Sequence, residues 1–143
     1  MMATETFPGP TFLIPGASRS GTTSLHSYLS QHPNIFLPDG KELHFFERDE
    51  NYRRGLNFYE SLYDEWDGER AAGEVCPTYW NRGVTYEDGS YQWQPDDDAA
   101  KRIHDAYPDI DIVLTLRNPV TRLHSQYWKN VRQGNEDVTP LRR

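Results

Sequence analysis

Hydrophobic and polar positions along the chain switch between a strand-like and a helix-like period, and each switch marks an element. Phe12 to Ile14 is a short apolar run that predicts a buried strand. Beyond a Gly- and Ser-rich stretch, Leu25, Tyr28 and Leu29 share one helical face. They predict a helix from Thr22 or Thr23 to about Gln31, stopped because Pro33 biases His32 away from helix. "NIFLPDGKELHFFERDE" predicts a short strand, a turn at Asp39–Gly40 and a second extended piece. Leu56, Tyr59, Leu62 and Tyr63 predict one helix over 51–66. "AAGEVCPTYW" predicts a strand halted by Pro77, and residues 81–95, polar, aromatic and Gly-containing, predict a surface loop. "DDDAAKRIHDAYP" predicts a helix with acidic residues in its first turn, where they complement the helix dipole. "DIDIVLTLR" is the clearest strand. Asn118 then fits an N-cap and Pro119 the first position of a helix running to about Gln133, with Gly134 as its stop. Residues 1–10 have no periodicity and predict a flexible arm, leaving one domain over 11–143.

Strands that alternate with helices predict an α/β fold: a P-loop-type parallel sheet with helical crossovers and ligands at the carboxyl ends of its strands. The length of 143 residues suits one domain, and 36% hydrophobic with 26% charged residues is a globular composition. No apolar run is long enough to span a membrane, and the N-terminus has no signal-peptide pattern. Cys76 is the single cysteine, so no internal disulfide is possible; the expectation is a cytoplasmic protein. The net charge of −7 argues against a nucleic-acid partner. Any bound anion must therefore be held by local cations against an unfavourable overall field.

Two stretches carry candidate chemistry. In "FLIPGASRSGTTSLHSYL" a strand, a Gly/Ser loop and a helix follow one another, the layout of a phosphate-cradling loop. The nucleotide pattern G-x-x-x-x-G-K-[ST] almost fits from Gly16 to Gly21, but Thr22 stands where lysine is expected and the cation is Arg19. Arg19, Ser20, Gly21, Thr22, Thr23 and Ser24 supply guanidinium, hydroxyl and backbone donors. The same residues also read as an ordinary loop capping a helix. The second stretch is "LRNPVTRLHSQY". A metal-dependent phosphoryl-transfer enzyme commonly ends such a strand in Asp; this one ends in Arg117, and Ser125 follows about two turns into the helix. Arg117 and Ser125 are expected to flank a second anion. The ligand that fits is a nucleotide with two separated anionic groups, held without a metal.

At this point the sequence resembles the PAPS-dependent sulfotransferases, whose donor is 3′-phosphoadenosine 5′-phosphosulfate. "GASRSGTTSL" is similar to the family's 5′-phosphosulfate loop and "LRNPVTRLHSQY" to its 3′-phosphate motif. "KELHFFERDENYRRGLNFYESLY" and "GEVCPTYW" resemble intervening blocks of the heparan-sulfate sulfotransferase branch. Four blocks in order, from about Thr11 to Gln133, are more specific than any one loop. That branch mostly has lysine at the place of Arg19, whereas tyrosylprotein sulfotransferases have arginine in a similar loop. Cys76 stands where serine is common. The family's catalytic domain continues past the length of this chain, so the fold is expected to be incomplete relative to it.

The resemblance implies sulfuryl transfer from PAPS to a hydroxyl or amine of an acceptor, with a carbohydrate as the class suggested. It implies Arg19 as the cation at the bridging oxygen and Glu42 in "KELHFF" as the catalytic base. Without the resemblance, Glu42 reads as a solvated carboxylate paired with Lys41. His44 is either a polar neighbour of Glu42 or a structural histidine. His26, His32, His104 and His124 show no metal-ligand spacing, and no metal is expected. Tyr79, Trp80, Tyr91 and Trp93 either stack on adenine or a sugar, or pack the protein. The competing assignments are a non-catalytic PAPS- or nucleotide-binding module and a P-loop nucleotide kinase. A truncated sheet edge also implies self-association into a homo-oligomer.

Overall fold

The computed structural model describes residues 6–81, 83–93 and 97–135. Strands β1 (Phe12–Gly16), β2 (Ile35–Phe36), β3 (Ala71–Val75) and β6 (Asp111–Leu114) form one sheet in the order β2-β3-β1-β6. All its pairings are parallel, with Leu13 opposite Glu74 on one side and Ile112 on the other. Helices α1 (Thr22–Leu29), α2 (Asp49–Tyr52), α3 (Leu56–Ser61) and α4 (Ala99–Ala106) lie in the connections between its strands, and α5 (Pro119–Arg132) follows β6. The expected α/β class and parallel sheet are therefore present. No helix among the described residues is long and apolar enough to cross a membrane.

Several expected elements differ. The helix expected over 51–66 is two short ones, because Gly55 between them has φ 83°, a left-handed conformation that breaks the helical path. The loop expected over 81–95 contains an antiparallel hairpin, β4 (Val84–Glu87) with β5 (Ser90–Trp93). Its turn is Asp88–Gly89, with φ 49° and 82°, the geometry that two-residue hairpins prefer. The second extended piece after Gly40 is not a strand: Glu42 and His44 have φ 66° and 55°. The aspartates before α4 precede its first turn instead of occupying it. Asp98 is the N-cap, accepting from the Lys101 amide at 3.0 Å, and its other oxygen accepts from the Gly83 amide at 2.8 Å. The arm expected over 1–10 is packed from Phe7 onward, where the ring stacks on Tyr63 at 4.6 Å. Residues 1–5 lie outside the described residues, as do residues 136–143 of the expected domain.

The core is unusually aromatic. Phe45, Phe46, Tyr59, Tyr63 and Tyr79 are buried with Leu13, Ala72 and Ile103. Phe45 stacks on Tyr59 at 4.8 Å and meets Phe46 edge-on at 4.9 Å. These two phenylalanines anchor the irregular segment 40–48. Arg102 locks it from α4: it donates to the Phe46 carbonyl at 3.1 Å and to the Asp49 carboxylate at 2.7 Å. β6 and α5 contrast with this core. Ile112, Val113, Leu116, Val120 and Leu123 are exposed, and α5 buries no residue fully.

Candidate functional site

Three strand ends, β1, β3 and β6, deliver the candidate residues to one edge of the sheet. After β1 the chain bends through Arg19, φ 63°, and Gly21, φ 85°, before α1 begins at Thr22. A Cβ at Gly21 would meet nothing within 4 Å, so the loop leaves open space over the helix N-terminus. Across this space, Arg19 Nε donates to Ser125 Oγ of α5 at 3.0 Å. Arg117, just past β6, donates from Nη1 to the Arg19 carbonyl at 3.3 Å and from Nε to Thr121 Oγ1 at 3.2 Å. Asn118 caps α5, its side-chain oxygen accepting from the Val120 amide at 3.0 Å. The two stretches singled out from the sequence thus meet.

Arg19, Gly21, Thr22, Thr23, Arg117 and Ser125 line one cleft of about 220 Å³. It adjoins a larger one of about 530 Å³, lined by Arg19, Arg117, Thr121, His124, Ser125, Trp128 and Arg132 among others. Ser20 instead lines a third hollow with Ala17, Ser18 and Trp80, and its hydroxyl is buried without a hydrogen-bond partner. Ser24 is exposed on α1 and lines neither of the first two clefts.

Glu42 reaches this edge because its amide donates to the Val75 carbonyl at the end of β3, at 3.2 Å. The pairing with Lys41 that the bare sequence suggests is present, at 2.7 Å. Lys41 Nζ also donates to Thr23 Oγ1 at 3.1 Å, so the same lysine joins Glu42 to the first turn of α1. His44 Nε2 lies 3.7 Å from Glu42 Oε2, while its Nδ1 contacts Glu47 Oε1 directly. Lys41 joins the candidate site, although the bare sequence offers it only as the partner of Glu42; its position directly after the Asp39–Gly40 turn is the available signal.

The segment that carries Glu42 is held from below by Glu74. This carboxylate, wholly buried on β3, accepts from the Leu43 amide at 3.0 Å, from Tyr79 OH at 2.9 Å and from Tyr59 OH at 2.9 Å. Tyr79 OH in turn accepts from the Phe45 amide at 3.0 Å. Burial pushes the Glu74 carboxyl up to about 7, against the opposing effect of the Tyr59, Tyr79 and Leu43 hydrogen bonds. Tyr79 is therefore a structural tyrosine and no stacking platform. Trp80 is half exposed beside the loop; Trp93 is exposed on the hairpin and packs over Gly83; the Tyr91 side chain lies outside the described residues.

The fold and the site define a P-loop-type α/β protein with an arginine and hydroxyls in the loop after its first strand and a second arginine at the facing strand end. The model of the sulfotransferase family matches residues 10–142, and the chain belongs to that family. It is 36% identical over 118 residues to the human heparan sulfate glucosamine 3-O-sulfotransferase 6, covering 82% of this chain and 30% of that protein. It is 28% identical over 134 residues to the membrane-associated sulfotransferase kil1 of Dictyostelium discoideum, covering 92% of this chain and 25% of that one. The crystal structure of a sulfotransferase from Alicyclobacillus acidocaldarius superposes with a TM-score of 0.70 at 38% identity, over 93% of this chain and 54% of that chain. The chain thus spans about a third or less of these curated relatives and about half of the solved neighbour.

Proposed function

We propose that this chain binds PAPS at the Arg19–Arg117 edge and serves sulfuryl transfer to a hydroxyl or amine of a carbohydrate-class acceptor. The observation that carries the proposal is the meeting of the two anion cradles, with Arg19 bonded to Ser125 and Arg117 bonded to the Arg19 carbonyl. The residues fit such a ligand. The open space over Gly21, beside Thr22 and Thr23, is where a 5′ anionic group would be received. The larger cleft, with Arg117, Ser125 and Arg132, has the cations and the room for a 3′-phosphate.

When bound, PAPS supplies an activated sulfuryl group on a phosphate leaving group. The backbone donors of Gly21–Thr23 and the hydroxyls of Thr22 and Thr23 would orient the 5′ group. With Nε committed to Ser125, the terminal guanidinium nitrogens of Arg19 are the donors for negative charge that develops on the bridging oxygen. Glu42 would take the proton that the acceptor's hydroxyl or amine loses on receiving the sulfuryl group. Lys41 holds the carboxylate by ion pair, and His44 flanks its other oxygen. Acceptor class rests on the relatives named for heparan sulfate, and on nothing in this chain's own cleft.

The test is transfer from radiolabelled PAPS to an oligosaccharide panel. Product formed by the chain and lost in Glu42→Gln supports the assignment. No product with any hydroxyl or amine acceptor, from a chain that binds the donor, removes the catalytic part of it.

A further inference from the structure

His44, Glu47 and Cys76 come from two separate segments, yet Nδ1, a carboxylate oxygen and Sγ all lie within 4.8 Å of one another. Cys76 Sγ is 3.8 Å from His44 Nδ1. Two such ligands on one tetrahedral ion stand about 3.5 Å apart, given metal–nitrogen and metal–sulfur distances of about 2.1 and 2.3 Å. Thr78 Oγ1 donates to Glu47 Oε1 at 2.7 Å and lies 3.2 Å from Sγ, so a hydroxyl already orients the carboxylate.

Hydrogen bonding among these groups leaves one feature without an account. The Glu47 carboxylate is 4% exposed, and its Oε1 is held by the His44 ring and the Thr78 hydroxyl. Its Oε2 is buried and has no hydrogen-bond partner among the described residues. With His44 neutral, a buried carboxylate in that condition calls for a compensating positive charge.

We infer that His44, Glu47 and Cys76 form a binding site for one borderline divalent metal ion of the Zn²⁺ type, ligated by imidazole, carboxylate and thiolate. A donor set of one nitrogen, one oxygen and one sulfur suits Zn²⁺ or Co²⁺ and disfavours Mg²⁺ and Ca²⁺, which take oxygen ligands. Coordination replaces the Cys76 S–H bond with a sulfur–metal bond, and the proton leaves to solvent. His44 coordinates as the neutral ring through Nδ1. Its Nε2 remains toward Glu42, 3.7 Å away, so occupancy fixes the ring beside that carboxylate. Thr78 serves as the outer hydrogen-bond partner of the Glu47 ligand. The site and its test are independent of sulfuryl transfer.

The experiment is titration of the whole chain with Co²⁺ alone, followed by absorption spectroscopy. Cys76 is the only cysteine, so a thiolate-to-cobalt charge-transfer band reports this site and no surface histidine. The inference requires a band that saturates at one equivalent, disappears on adding Zn²⁺ and is missing in Cys76→Ser. Glu47→Gln should keep the band and weaken apparent affinity by about tenfold or more. Should Cys76→Ser fail to fold by circular dichroism, His44→Ala and Glu47→Gln decide. Folded wild-type chain with no charge-transfer band overturns the site, and so does a band whose affinity both of those variants leave unchanged.

Discussion

Arg19 Nε and Ser125 Oγ stand 3.0 Å apart across 106 residues of sequence. This contact ties the loop after β1 to the helix after β6, and it points the guanidinium along the cleft between them. Hydrogen bonds to charged groups contribute about 1.5–3 kcal/mol each. Ser125→Ala should therefore weaken adenosine 3′,5′-bisphosphate binding by about tenfold or more. The serine is only half-buried, so the thermal midpoint should move little. Calorimetry beside a melting curve checks both, and undiminished affinity would show that the contact only braces the loop.

Glu42→Gln should keep bisphosphate binding and lose transfer. Glutamine preserves the size of the side chain but takes up no proton at neutral pH. Removing a general base typically costs about 10²–10⁴-fold in rate. Weakened donor binding would instead assign Glu42, through its Lys41–Thr23 link, to support of the loop.

Glu74 predicts a pH dependence of stability. Burial holds its carboxyl at about 7 in the folded chain, above an ordinary value of 4.5. The folded state thus binds this proton more tightly than the unfolded one. The resulting stability is fully present below the unfolded value and is lost as pH rises through about 7. The interval corresponds to roughly 3 kcal/mol as an upper bound. Glu74→Gln should therefore flatten the fall in melting temperature between about pH 5 and pH 8. Parallel profiles for the two proteins would show that Glu74 does not titrate there.

The exposed apolar residues of β6, α5 and the segment between them predict self-association of the 143-residue chain. Leu116, Val120 and Leu123 are 74%, 73% and 59% exposed, large apolar side chains of the kind that mark an interaction surface. Val120→Glu with Leu123→Glu should shift sedimentation toward monomer. A wild-type chain already monomeric at high concentration contradicts this.

The parts of the fold that were legible in the sequence are those where one local signal suffices. Asn118 and Pro119 start α5 through their own backbone chemistry, and the Ile112–Leu114 run makes β6 whatever its neighbours do. The loop from Arg19 to Thr23 was equally legible, because glycine and hydroxyls at those spacings have few other uses. The hairpin at 84–93 was missed although Asp88–Gly89 is a turn signal; its aromatic and polar residues hid the alternation. The apolar spacing of the expected helix, Leu56 to Tyr63, lies wholly beyond Gly55 and so carried no record of the break there. Glu74 and the His44–Glu47–Cys76 group depend on side chains from separate segments meeting, and no spacing along one segment records that.

Arg117 gives the account its most direct test. It is exposed at the end of β6, so Arg117→Ala should fold as the wild type does. Calorimetry of the wild type should give adenosine 3′,5′-bisphosphate an affinity at least about tenfold above that of AMP, unchanged by a chelator. In Arg117→Ala that preference for the bisphosphate should collapse. Equal affinity of the wild type for the two nucleotides, or a preference that survives in the folded variant, would contradict the second anion site and with it the proposed donor.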